Sequence, residues 1–264
     1  MNPPELLADF RRRHPNRTVS VGPVTWRYRT AGTGPALLLL HGMAGSGDIW
    51  FQQIDALAGE RHLVAVTYPL VGSLADLRHG IDAVLTAEGI ERFSVLGTSL
   101  GGYLAQYLLA REPDRIDRAI FANTFPPNDL IARSSKGLAR SLGFLPNRLV
   151  SAFLRRNVER NLVPAGDGSE LLGYLLHEQF SGADVKRTFL ARYRCVVDPF
   201  DAPTPQAPVT IFDSDNDPLV AEPLRRLLRA TYPDAPVRTF AGAGHFPYVN
   251  RPGAYTAAVR AALA

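Results

Sequence analysis

Ser99 lies in the run Phe93-Ser-Val-Leu-Gly97-Thr98-Ser99-Leu100-Gly101-Gly102, with a glycine two residues before it and another two residues after it. An apolar stretch leads into this run and a helix-compatible stretch follows it. That is the strand–turn–helix setting in which a serine hydroxyl is exposed on a sharp bend as a nucleophile. A side chain at Gly97 or Gly101 would collide across the bend, and Ser99 itself must take a strained backbone there. The bend also puts Ser99 at a helix N-terminus, where the Leu100 N–H and the helix dipole can meet the oxygen of an attacked carbonyl. Two glycines and a serine at this spacing arise by chance in roughly one chain of this size in ten, so the weight rests on the placement between strand and helix.

A serine hydroxyl needs a base, and histidine is suited to that near neutral pH. His245 is chosen, in Ala241-Gly-Ala-Gly-His245-Phe-Pro247, because it follows the last apolar run and the small residues before it let a loop approach Ser99. The other histidines fit less well: His14 lies in a charged stretch, His62 opens a strand, His79 falls in a helix and His177 in a leucine-rich segment. An acid to hold the imidazole should come from the loop after Val209–Phe212, which offers Asp213, Asp215 and Asp217. Asp217 is preferred because it precedes Pro218 and leaves room for one helix and one strand before His245; Asp215 is the reserve. The remaining aspartates of that loop can bond loop amides.

His41-Gly42-Met43-Ala44-Gly45-Ser46-Gly47 directly follows the apolar run Ala36–Leu40. Its glycines let the main chain curl close to a substrate, and the Met43 N–H is the second candidate oxyanion donor beside that of Leu100. His41 is read as structural, bonding to the loop backbone. No lysine follows these glycines as a phosphate-binding loop would require, so nucleotides are not implied.

These residues need elements that hold them. Thr18–Val21 and Val24–Arg29 flank a Gly22-Pro23 turn and read as an antiparallel edge hairpin. Apolar runs at Leu37–Leu40, Leu63–Tyr68, Phe93–Leu96, Ala119–Ala122, Val209–Phe212 and Val237–Phe240 mostly lack polar alternation, the mark of strands buried on both faces. Helix-compatible segments at Ile49–Leu57, Leu74–Glu88, Leu100–Arg111, Glu222–Ala230 and Ala254–Leu263 alternate with them. The rhythm predicts an α/β fold with a mostly parallel eight-stranded sheet flanked by helices. From Phe125 to about Gln206 no strand is legible, and apolar residues such as Leu138, Phe144, Leu149 and Phe153 exceed what free helices need. This stretch, about 125–206, is read as a helical cap inserted into a single domain spanning 1–264.

Bulk properties narrow the function. With 264 residues, 46% of them hydrophobic and 20% charged, the chain can bury one large core. Its net charge of +4 gives no strong pull toward nucleic acid, and Arg155, Arg156 and Arg160, without interleaved aromatics, read as a solvated helix face. No segment approaches the length of a membrane helix, and Arg11–Arg13 precede no signal-like apolar core. The single cysteine, Cys195, cannot form an internal disulfide and is read as a packing residue; a cytoplasmic protein is expected.

The order Ser99, Asp217, His245, with His41-Gly42 upstream, resembles the α/β-hydrolase superfamily over nearly the whole chain. Trp50-Phe-Gln-Gln-Ile54, Ala65-Val-Thr-Tyr68-Pro69, Leu96-Gly-Thr-Ser-Leu-Gly-Gly-Tyr-Leu-Ala-Gln106 and His245-Phe-Pro-Tyr248 are similar to its maspardin branch. Many superfamily members carry an aspartate and a glycine-rich turn after the strand that here ends in Tyr68-Pro69; this chain does not. The resemblance implies that some relatives lack the loop histidine and act as binding proteins, whereas His245 is present here.

The expectation is therefore a serine hydrolase that cleaves an ester-type bond of a small, largely apolar acyl substrate through Ser99, His245 and Asp217. Backbone N–H groups of Met43 and Leu100 would form the oxyanion hole, and the chemistry calls for no metal or organic cofactor. The same triad acting on a thioester or a carbon–carbon bond, or transferring the acyl group, is the alternative within the class. A catalytically silent binding protein is the alternative outside it.

Overall fold

The computed structural model describes residues 2–264. It begins with a helix absent from the sequence reading, α1 (Pro3–Arg13). Asn2 caps this helix: its side chain accepts from the Glu5 N–H, and the Glu5 carboxylate accepts from the Asn2 N–H. Leu7 and Phe10 on its inner face are fully buried.

Strands β1 (Arg17–Val21) and β2 (Val24–Ala31) form the expected hairpin, and Gly22 takes the positive φ that its turn requires. Then follow β3 (Ala36–Leu40), α2 (Phe51–Leu57), β4 (His62–Thr67), α3 (Leu74–Ala87), β5 (Phe93–Thr98), α4 (Leu100–Arg111) and β6 (Ile116–Ala122). Between β6 and the next strand lie only helices: α5 (Leu130–Phe144), α6 (Asn147–Asn157), the single turn α7 (Val163–Ala165), α8 (Glu170–Gln179) and α9 (Val185–Val196). The chain ends with β7 (Val209–Ser214), α10 (Glu222–Thr231), β8 (Val237–Phe240), α11 (Pro247–Asn250) and α12 (Pro252–Leu263).

The eight strands make one sheet in the order β1-β2-β4-β3-β5-β6-β7-β8. Pairings β1–β2 and β2–β4 are antiparallel and the remaining five are parallel. Side chains alternate across β3, so Leu37 and Leu39 join the core on one face while Leu38 and Leu40 join the core on the other. Burial on both faces explains the unbroken apolar runs. The expectation fails for β8, where Val237, Arg238 and Thr239 are exposed because the strand lies at the sheet edge.

Register decides what meets at the site. Leu40 at the end of β3 lies beside Gly97 of β5. Parallel strands end on the same side, so the loop after β3 and the turn after β5 emerge next to each other at the carboxyl edge of the sheet, where open α/β sheets bind their ligands.

Candidate active site

Ser99 stands between β5 and α4 with φ 55° and ψ −120°. This conformation is disfavoured for a residue with a side chain, at a cost of about 1–3 kcal/mol, and it persists only where its surroundings over-determine it. Here they do: the Ser99 N–H donates to the Ala122 carbonyl (2.9 Å), and its carbonyl accepts from the Tyr103 N–H (3.0 Å) and the Thr124 hydroxyl (2.7 Å). A Cβ on Gly97 would lie 2.0 Å from the Gly101 carbonyl oxygen, and one on Gly101 would lie 2.1 Å from that of Leu40. Only glycine fits at either place.

His245 is buried in the loop between β8 and α11, and its Nδ1 lies 2.8 and 2.9 Å from the two carboxylate oxygens of Asp217. Nδ1 therefore carries the proton, and Nε2 has no protein partner among the described residues. Gly244, just before it, takes a positive φ, and a Cβ there would meet the Ala165 carbonyl at 2.9 Å. Asp217 also accepts from the Asn123 amide (2.9 Å) and from the Leu219 and Val220 N–H groups (2.8 and 3.0 Å). Burial by itself would raise its carboxyl pKa, but His245, Asn123 and the Val220 amide together hold it below the ordinary value. The other two aspartates of the loop are turned elsewhere: Asp213 pairs with Arg229, and exposed Asp215 accepts from the Gly242 N–H at 2.8 Å.

The loop after β3 packs on Ser99 closely enough that a Cβ on Gly42 would lie 3.1 Å from the serine Cβ. His41 is fully buried. Its Nε2 accepts from the Tyr68 N–H (3.2 Å), so its Nδ1–H must be the donor to the Gly42 carbonyl (2.7 Å). Burial, reinforced by Arg192, holds its pKa well below the usual histidine range, so the ring is neutral. In a trans peptide the C=O and N–H point in opposite directions. The Gly42 carbonyl is drawn toward His41, and it also accepts from the Gly45 N–H (3.2 Å), so the Met43 N–H faces the other way. Neither it nor the Leu100 N–H has a protein acceptor among the described residues.

Two residues of this arrangement escaped the sequence reading. Asn123, at a positive φ just past β6, supports Asp217; its position after an apolar strand was the only cue. Arg192 reaches from α9 to the loop after β3, donating to the Met43 and Gly45 carbonyls (2.5 and 2.9 Å) and to the Tyr68 carbonyl (3.4 Å). No local pattern marks it.

Ser99, His245 and Met43 all border one cavity of about 580 Å³, walled mostly by apolar side chains including Leu138, Phe153 and Phe189. That size falls within the roughly 300–1,000 Å³ typical of small-molecule sites. Cys195 is buried away from this lining, and burial pushes its thiol up to about 12, as suits a packing residue.

Residues 37–259 match the model of the alpha/beta hydrolase family. Over 149 residues the chain is 34% identical to a pimeloyl-[acyl-carrier protein] methyl ester esterase of Aeromonas salmonicida, covering 53% of this chain and 57% of that one. A candidate carbamate hydrolase, RutD, of Caulobacter is 27% identical over 261 residues, covering 90% and 96%. The chain spans about half the length of the first curated relatives it matches. Among solved structures, an enol-lactonase of Burkholderia xenovorans superposes with a TM-score of 0.77 at 18% identity, over 94% of this chain and 99% of that one. A bacterial membrane phospholipase A gives 0.77 at 20%, over 99% and 91%. These structural likenesses speak to the fold alone, and none of these matches singles out the maspardin branch. With the family model spanning both the serine turn and the histidine loop, the chain belongs to the alpha/beta hydrolase family.

Proposed function

We propose that this chain is a hydrolase, a serine esterase that cleaves small, largely apolar acyl esters through Ser99, His245 and Asp217. The observation that carries the reading is the joint placement of a strained Ser99 and a His245 held by Asp217 on one apolar cavity. Ser99 Oγ attacks the acyl carbon while His245 Nε2 takes its proton, and the negative charge developing on the carbonyl oxygen is met by the Met43 and Leu100 N–H groups. Collapse of that intermediate expels the alcohol, which His245 protonates, leaving an acyl-Ser99. Water then attacks with His245 as base, and the acid is released. Asp217 remains ionised and stabilises the transient imidazolium.

In this reading the chain is a single domain of residues 1–264, and the helices between about 125 and 206 are a cap whose apolar side chains select the acyl group. A catalytically silent binding protein would not need the imidazole oriented by a carboxylate that three further donors hold in place.

The test is hydrolysis of p-nitrophenyl esters of graded acyl length by wild type, Ser99→Ala and His245→Ala. Both variants are expected to lose roughly 10⁴-fold or more in kcat while remaining folded. Near-normal turnover by Ser99→Ala would sink the assignment. If wild type is inert on all esters, fluorophosphonate labelling decides: a labelled Ser99 keeps the nucleophile and moves the bond to a thioester or a carbon–carbon bond, and an unlabelled Ser99 returns the binding-protein reading.

A further inference from the structure

Helices α5 and α6 with the turn between them carry six cations, Arg133, Lys136, Arg140, Arg148, Arg155 and Arg156, and no Asp or Glu from Leu130 to Val158. The whole chain has a net charge of only +4, so this segment holds more than the entire excess. Arg133 pairs with Asp129; the other five have no carboxylate partner among the described residues. Among these cations stand large apolar side chains that nothing covers: Phe144 at the end of α5 is 81% exposed, Leu138 50%, Leu149 48% and Phe153 46%. Large apolar side chains left exposed this close together in the chain mark an interaction site.

An acidic soluble partner would meet the cations but gives no reason for a bare phenylalanine at the turn between the two helices. An anionic lipid surface answers both features, since apolar side chains enter the acyl boundary while Lys and Arg hold the headgroups and bury their stems. Leu138 and Phe153 belong both to this exposed face and to the wall of the cavity that Ser99 borders, so the surface is continuous with the candidate active site. We infer that the α5–α6 segment docks on anionic membranes, with Phe144, Leu145 and Leu149 inserted and the cavity mouth turned toward the lipid. Acyl lipids or their fragments then reach Ser99 past Leu138 and Phe153; this last step rests on the esterase reading, whereas the docking does not.

Co-sedimentation of the full chain with vesicles tests it, using phosphatidylcholine alone and phosphatidylcholine mixed with phosphatidylglycerol. The chain is expected to sediment with the mixed vesicles, far less with the neutral ones, and less again as salt rises. Replacing Arg140, Arg148 and Arg156 by Gln should weaken binding to the mixed vesicles by roughly a hundredfold. Phe144→Ser with Leu149→Ser should weaken it as well. Both variants alter exposed residues only and should keep the wild-type melting temperature. Ser99→Ala must bind as wild type does, so a failure of catalysis and a failure of docking are seen separately. Absence of binding to mixed vesicles, equal binding to neutral ones, or binding untouched by both variants would overturn the inference. In the first case, a chain that runs as a dimer and is split by Phe144→Ser would assign the face to a second copy instead.

Discussion

Arg192 is a cation buried without a carboxylate: its two terminal nitrogens donate to main-chain carbonyls alone, and its Nε–H has no protein acceptor among the described residues. Burial lowers its pKa to about 10, still well above neutrality, so it stays charged at the cost of desolvation. What that cost secures is the path of the loop carrying the Met43 N–H, because two of the three carbonyls belong to Met43 and Gly45. In the proposed mechanism Arg192 is thus a positioning residue, and its removal should be felt where charge develops on the substrate. Losing an oxyanion donor outright costs about 10²–10³ in kcat, so loosening one by Arg192→Met should cost roughly 10–100-fold, with KM changed by less than about threefold and Lys restoring part of the loss. A variant whose KM rises while kcat holds would show that Arg192 serves substrate binding instead.

At the scale of elements, β5 and α4 are joined by a turn that leaves no room for a β-carbon. Gly97→Ala would force its methyl to within 2.0 Å of the Gly101 carbonyl, and backbone cannot swing aside as a side chain can. The expected cost is about 1–3 kcal/mol of stability from overpacking. Since relief must come from reshaping the turn itself, fluorophosphonate labelling of Ser99 should slow as well. A chemical denaturation curve and a labelling rate check the two parts, and a variant as stable and as reactive as wild type would show that the turn is not rigid. α1 is fixed differently, through the Asn2–Glu5 cap and two buried side chains; Phe10→Ala should cost roughly 3–5 kcal/mol, readable in the same denaturation experiment.

For the whole molecule, stability should depend on pH through two buried groups of the site. His41 is held neutral, with its folded pKa below the ordinary 6.5, so the unfolded chain binds the extra proton first. Its contribution is complete above pH 6.5 and declines as the pH falls from there toward the folded value. Asp217 is also depressed, from 3.8, so its contribution is complete above that pH and is lost as the pH falls further. Melting temperature should therefore decline in two stages on acidification. One such group gives a slope of at most about 1.4 kcal/mol per pH unit. His41→Asn should flatten the first stage and Asp217→Asn the second; a wild-type melting temperature level from pH 7 to 4.5 would contradict the assignment of His41.

Residue order alone marks the sheet, because strands buried on both faces must be unbroken apolar runs, and it marks the serine turn, because only glycine fits where Gly97 and Gly101 approach backbone. It narrowed the orienting acid to three aspartates of one loop; the choice of the residue that meets His245 was made by tertiary structure, through Asn123 and two loop amides that turn Asp217 inward. The exposed character of β8 followed from its place at the edge, which strand order decides and local pattern does not. The helices between β6 and β7 showed their apolar excess in the sequence, yet which of those residues face the cavity and which face outward depends on how α5 to α9 pack. Arg192 lay outside any local reading for the same reason: its partners are about 150 residues away along the chain, and long-range contacts of that kind exist only once the chain has folded.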